Sequence, residues 1–182
     1  MRGVSRRLVL AAGGTLAAGL VPRKPHAAEL DPLSQVLKLV NPPVRLADIS
    51  FQAADGTLHH LSDFKGHGMV VNLWATWCAP CVAELPALSV LSHALAPQDI
   101  AVLPLSSDRG GANAVRAFFD AHDITGLPVL LDPKGAATEA WGVAGIPTTA
   151  IIDRDGMERA RLEGPANWAT PEAAALVRRL VG

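Results

Sequence analysis

Cysteine is nearly absent: the 182 residues hold two, Cys78 and Cys81, three positions apart. A bridge across so short a ring removes almost no loop entropy from the unfolded chain, so this is not a disulfide-braced scaffold. A closed zinc site is excluded as well. The six histidines include the adjacent pair His59-His60, but there is no second cysteine pair and no His-x₃-His spacing to complete a tetrahedral set. Metal ligands and cofactors are therefore not expected. Repeats and low-complexity tracts are missing beyond the N-terminal segment. No excess of positive charge is available either. The full chain carries a net charge of −1, and residues 1–27 supply five basic residues and no acidic one. The remainder therefore has 11 basic residues against 17 acidic ones, a net charge of −6. That balance argues against nucleic acid or an anionic membrane surface as the main partner.

What the N-terminus does have is a targeting pattern. Arg2, Arg6 and Arg7 precede an uncharged run, Leu8 to Val21, and small residues follow at Ala27-Ala28. The run has 14 residues, short of the roughly 20 that a bilayer-spanning helix needs. Residues 1–27 read as an export signal or an uncleaved membrane tether. Ser5-Arg6-Arg7-Leu8-Val9-Leu10, with Gly13, Gly14 and Gly19 diluting the apolar run, is twin-arginine-like, and an ordinary Sec signal is the alternative. Export to the periplasm, an oxidising compartment, follows from either route.

Residues 28–43 read as a linker with a helical turn or two from Asp31-Pro32, stopped by Asn41-Pro42-Pro43. Residues 44–182 are long enough for one domain with its own core. Val44 to Leu61 reads as a hairpin about Asp55-Gly56. Met69 to Ala75 is an apolar, β-branched run, the pattern of a strand buried on both faces. A helix is expected from about Cys78, with Leu85, Leu88, Leu91 and Leu95 along one side and a kink at Pro86. Strands then follow at 100–105 and 127–131, a helix at 112–122, a short helix at 136–141, a strand at 150–152, a return strand at 157–162 and a last helix to Leu180. This alternation predicts an α/β fold, a central mixed sheet with helices on both faces.

Val71-Asn72-Leu73-Trp74-Ala75-Thr76-Trp77-Cys78-Ala79-Pro80-Cys81, then Glu84 and Pro86, and far downstream Gly145-Ile146-Pro147-Thr148-Thr149, resemble the thioredoxin superfamily. More narrowly the set resembles the TlpA/ResA branch of exported thiol–disulfide reductases. The resemblance covers 44–182 and includes an N-terminal β-hairpin and a central helix–strand insertion. It departs from plain thioredoxins at Asn72, where those proteins carry a buried aspartate. Asn72 cannot take up a proton, and the acid of the branch is Glu84.

From the resemblance and the spacing, Cys78 is the expected nucleophile, at a strand-to-helix junction where the helix dipole favours a thiolate. Cys81, one turn further in, is the expected resolving thiol. Glu84 is the candidate proton handler, against the plainer reading of a solvated helix glutamate. The resemblance makes Pro147 the cis-proline position, has the Ile146 backbone pair with an extended substrate segment, and puts Trp77 on the rim. Trp74 and Trp141 read as core. The implied function is reduction of protein disulfides in cytochrome c biogenesis or respiratory copper-site assembly. The implied partners are a client with a cysteine pair (apocytochrome c or a copper-site protein) and a membrane dithiol donor, with the protein itself a monomer. A DsbA-like oxidant uses the same atoms in the other direction. A Cu(I) chaperone holding soft metal on Cys78 and Cys81 is the reading from a different class. A thiol peroxidase fits less well, because its second cysteine normally lies further away.

Overall fold

A computed structural model describes residues 33–182. The signal or tether reading of 1–27 and the first part of the linker lie outside the described residues. In chain order the elements are α1 (Leu33–Val36), β1 (Lys38–Arg45), β2 (Ser50–Ala53), β3 (Leu58–His60), β4 (Gly68–Trp74) and α2 (Ala79–Leu95). Then come β5 (Ile100–Ser106), α3 (Gly111–Ala121), β6 (Leu130–Leu131), α4 (Ala136–Ala140), β7 (Thr148–Ile152), β8 (Met157–Glu163) and α5 (Pro171–Val181). The strands form one eight-stranded mixed sheet in the order β1-β8-β7-β4-β5-β6-β2-β3.

β4 is the middle of this sheet, and all seven of its residues are buried. It pairs parallel with β5 and antiparallel with β7, which satisfies its backbone on both edges. Its side chains alternate between two cores. Val70 and Trp74 pack with Leu85, Leu88, Leu91 and Leu95 of α2, Val115 and Phe119 of α3, and Val177 and Val181 of α5. Met69, Val71 and Leu73 face the opposite way, towards Phe51 of β2, Ala137 of α4 and Trp141. Helices therefore cover both faces, as the alternation predicts. Ala79–Gln98 is long and apolar enough by composition to cross a membrane. Its leucines instead fill the first core.

The linker boundary is corrected by the structure. Lys38–Arg45, which begins inside the stretch read as linker, is the edge strand β1, paired antiparallel with β8. Prolines lack an N–H, but an edge strand needs donors on one side only, and the register shifts between Leu39 and Val44, across Asn41-Pro42-Pro43. Pro104 also sits within a continuous strand. Along β5, β6 pairs only at Leu105 and Ser106, so β5 has a neighbour on one side at Pro104. The third strand is shorter than expected, Leu130–Leu131 in place of 127–131. Pro86 lies inside one continuous α2. The hairpin turns about Asp55-Gly56 as expected but is shorter than the expected 44–61, because Val44 and Arg45 belong to β1. Its strands β2 and β3 dock on β6 at the edge of the sheet opposite β1.

Candidate active site

β4 and β5 run parallel, so the loops leaving both strands emerge at one end of the sheet, where sites on α/β sheets gather. Asp108, buried after β5, ties these loops together. Its carboxylate accepts from the Thr76 backbone N–H (2.9 Å), the Thr76 hydroxyl (2.7 Å) and the Ser106 hydroxyl (2.7 Å). This fixes the four residues between Trp74 and the start of α2. Trp74 itself is fully buried and stacks on Phe119 at 5.6 Å between ring centres, a core position.

Cys78 is the residue before α2, with extended backbone (φ −93°, ψ 97°), and its carbonyl accepts from the Val82 N–H at 3.0 Å. Its side chain therefore sits at the positive end of the helix dipole, with no acidic residue in the first turn to oppose it. Cys78 and Cys81 form a disulfide with their Cα atoms 5.3 Å apart. Cys78 is 7% exposed and Cys81 fully buried, so the outer sulfur belongs to Cys78. The sulfur of Cys78 lies 3.7 Å from the Ile146 carbonyl oxygen, and the Ile146–Pro147 bond is cis. The structure thus brings Ile146 and Pro147 against the disulfide across 68 residues of sequence.

Trp77 is 72% exposed beside Cys78 and forms the rim of a cleft of about 1020 Å³. Pro133–Gly135, Thr138, Glu139, Gly142, Val143, Gly145 and Ile146 also line it. The turn before α4 and part of α4 itself therefore share a cleft with Trp77, the neighbour of Cys78. A Cβ placed on Gly145 would meet nothing within 4 Å, so the cleft is open above that backbone.

Glu84 is fully buried, which overturns the plainer reading of a solvated helix glutamate. Cys81, Glu84, Leu85 and Leu88 share the buried side of α2. One carboxylate oxygen, Oε1, accepts from Asn72 Nδ2 at 2.8 Å. The other, Oε2, accepts from the Ala166 N–H at 3.2 Å and the Trp168 indole N–H at 3.1 Å. Burial raises its pKa from 4.5 to about 7, against the opposing pull of the Trp168, Asn72 and Ala166 donors. Asn72 Nδ2 also donates to the Thr149 hydroxyl at 2.9 Å.

Trp168, Ala166 and Thr149 are the members of this network that the sequence reading missed. Trp168 stands in the loop before α5, outside any apolar period. An isolated tryptophan there was the available signal, since a buried indole needs a partner for its N–H. Among the described residues no group of three or more His, Cys, Asp or Glu side chains could hold a metal ion.

Comparison with known proteins agrees with this geometry. The Redoxin family model matches residues 42–177. The chain belongs to the Redoxin family, within the thioredoxin superfamily. This Redoxin-family chain is 36% identical over 111 residues to the thioredoxin-like protein YneN of Bacillus subtilis, covering 60% of this chain and 64% of that one. It thus spans under two thirds of that curated relative's length. It is 32% identical over 140 residues to the thiol-disulfide oxidoreductase ResA of Oceanobacillus iheyensis, covering 72% and 71% of the two chains. Among solved structures, the exposed lipoprotein thioredoxin Etrx1 of Streptococcus pneumoniae matches with a TM-score of 0.58 at 31% identity, covering 74% of this chain and 98% of that one.

Proposed function

We propose that the protein is an exported thiol–disulfide oxidoreductase working as a reductase, with Cys78 as nucleophile, Cys81 as resolving thiol and Glu84 as the proton site. The observation that carries this is the Cys78–Cys81 disulfide at the mouth of α2, its outer sulfur facing the Ile146 carbonyl, with a carboxyl group buried on the same helix as the inner cysteine. ResA, the relative named above as a thiol-disulfide oxidoreductase, and the TlpA/ResA likeness of the motifs support the activity and its direction.

In the reduced protein the Cys78 thiolate, favoured by the helix dipole, attacks one sulfur of a client disulfide. The client S–S bond breaks, a mixed disulfide forms, and the second client sulfur leaves as a thiolate that takes a proton. Glu84, whose pKa burial raises to about 7, accepts the proton of the Cys81 thiol. Cys81 then displaces the client from Cys78, closing the Cys78–Cys81 disulfide and releasing the second client thiol. The client gains two electrons and two protons. The protein gives up both electrons and the Cys81 proton, which Glu84 passes on to the departing client sulfur, and water supplies the other proton because Cys78 enters as a thiolate. An extended client segment lies in the cleft between Trp77 and Ile146-Pro147. The clients are an apocytochrome c or a copper-site protein, and a membrane dithiol carrier restores the reduced state. Export follows from the pattern of residues 1–27.

The equilibrium reduction potential of Cys78–Cys81 tests the direction. A value near or below that of thioredoxin, about −270 mV, is expected; one near that of DsbA, about −120 mV, overturns the reductase reading in favour of an oxidant.

A further inference from the structure

Glu84 has two oxygens in unequal surroundings. Oε2 receives the backbone N–H of Ala166 and the indole N–H of Trp168, and neither group can accept a hydrogen bond. A proton on Oε2 would meet two fixed donors. The proton of the neutral acid is therefore confined to Oε1, the oxygen that faces Asn72 at 2.8 Å. As found, Asn72 presents its Nδ2 there, the arrangement that suits the carboxylate. Its Oδ1 is buried and has no hydrogen-bond partner among the described residues. Buried amide oxygens are rarely left so.

We propose that Asn72 is a two-position amide whose side chain turns over when Glu84 gains or loses its proton. Half a turn about the terminal torsion exchanges Oδ1 and Nδ2. Oδ1 then stands where Nδ2 stood, within reach of both Glu84 Oε1 and the Thr149 hydroxyl. The neutral acid donates its O–H to Oδ1. The Thr149 hydroxyl, an acceptor in the ionised state, becomes a donor to the same oxygen. The amide NH₂ moves into the place that Oδ1 held, so the ionised state leaves one acceptor unpaired and the neutral state two N–H donors, a cost set against the hydrogen bonds that Oδ1 gains from Glu84 and Thr149. The carboxyl group is thus accommodated in both protonation states without moving the backbone of β4, β7 or α2.

The groups that face Glu84 are Asn72 from β4, with Thr149 of β7 behind it, and Ala166 and Trp168 from the loop before α5. None of them titrates near neutral pH, and no charged side chain contributes to its pKa. The cysteine pair one turn back on α2 is covalently closed in the oxidised state. In that state the amide responds to Glu84 alone. An aspartate at position 72 could not do this, because an ionised carboxylate offers no donor to a second one. Asn72 is in these terms a positioning residue for the proton site.

The test uses the full-length, ¹⁵N- and ¹³C-labelled protein in its oxidised form. Glu84 is followed by its carboxyl ¹³C shift and Asn72 by its two Nδ2 protons, between about pH 5 and about pH 9. At high pH both protons are hydrogen-bonded, shifted downfield and protected from exchange. As Glu84 protonates, both are expected to move upfield and lose protection with the same midpoint. Glu84→Gln supplies a second arm. Ala166 and Trp168 hold the carbonyl of the introduced side-chain amide, so its NH₂ faces Asn72, and Asn72 shows the low-pH signature at every pH. Nδ2 protons that stay protected while the Glu84 carboxyl titrates overturn the proposal, as does a high-pH signature in Glu84→Gln. If that variant does not fold, the wild-type titration decides alone. The proposal rests on Glu84 as the proton site, yet its readout needs no client. Failure to reduce disulfides would overturn the proposed function and leave the amide rotation standing. A static amide in a working reductase would overturn the rotation alone.

Discussion

The buried carboxyl group makes a prediction about stability that runs against the usual behaviour of acids. Most paired carboxylates stabilise a fold above their unfolded pKa and fail it on acidification. Glu84 is the reverse, because burial lifts its value from 4.5 to about 7. Between those limits the folded state binds more protons than the unfolded one, so stability falls as pH rises. The contribution is fully present below about pH 4.5 and is lost by the time pH passes about 7. At about 1.4 kcal/mol for each pH unit, the loss comes to about 3 kcal/mol. Domains of this size are stable by about 5–15 kcal/mol, so the effect is measurable. The perturbation is Glu84→Gln, which removes the titration, and the assay is urea unfolding of the oxidised protein across this pH range. The wild-type curve is expected to fall by about 3 kcal/mol relative to the variant between about pH 4.5 and about pH 8. Parallel curves would refute the reasoning. A wild type that gains on the variant as pH rises would mean that the Asn72, Ala166 and Trp168 donors outweigh the cost of burying the charge.

Removing one donor should push the same group further. Trp168→Phe deletes a hydrogen bond to the carboxylate worth about 1.5–3 kcal/mol, so the Glu84 pKa should rise by about one to two units, read from its carboxyl ¹³C shift. Cys81→Ser should hold clients as mixed disulfides on Cys78 with no turnover, which non-reducing gels and mass spectrometry will show; free Cys78 after exposure to client would count against its role as nucleophile. Trp77→Ala should leave the urea midpoint unchanged, since the side chain is 72% exposed, while raising KM for a protein disulfide. Leu91→Ala, in the fully packed centre of α2, should cost about 2–5 kcal/mol of stability without altering the reduction potential.

Much of the scaffold is legible because it depends on short-range pattern. The nearly continuous apolar run 69–75, broken only by Asn72, reads as a central strand, and four leucines at helical spacing place α2 beneath it. The pair Cys78-x-x-Cys81 announces its own bridge by spacing and by the lack of any other cysteine. Prolines misled where an edge was involved. Asn41-Pro42-Pro43 reads as a terminator because local chemistry cannot say that one side of β1 needs no ladder bonds.

By itself, then, the sequence determined the fold class, the central strand and the position of the redox pair, all of which follow from composition and from spacings of a few residues. The state of Glu84 was decided only in three dimensions. A helix position three residues past Cys81 is compatible with a solvated acid or with a buried one, and the difference lies in partners 82 and 84 residues away, Ala166 and Trp168. The same holds for Thr149, 77 residues from Asn72. Burial and hydrogen-bond partnership are properties of the packed chain, and here burial outweighs the hydrogen bonds and raises the pKa of the glutamate from 4.5 to about 7.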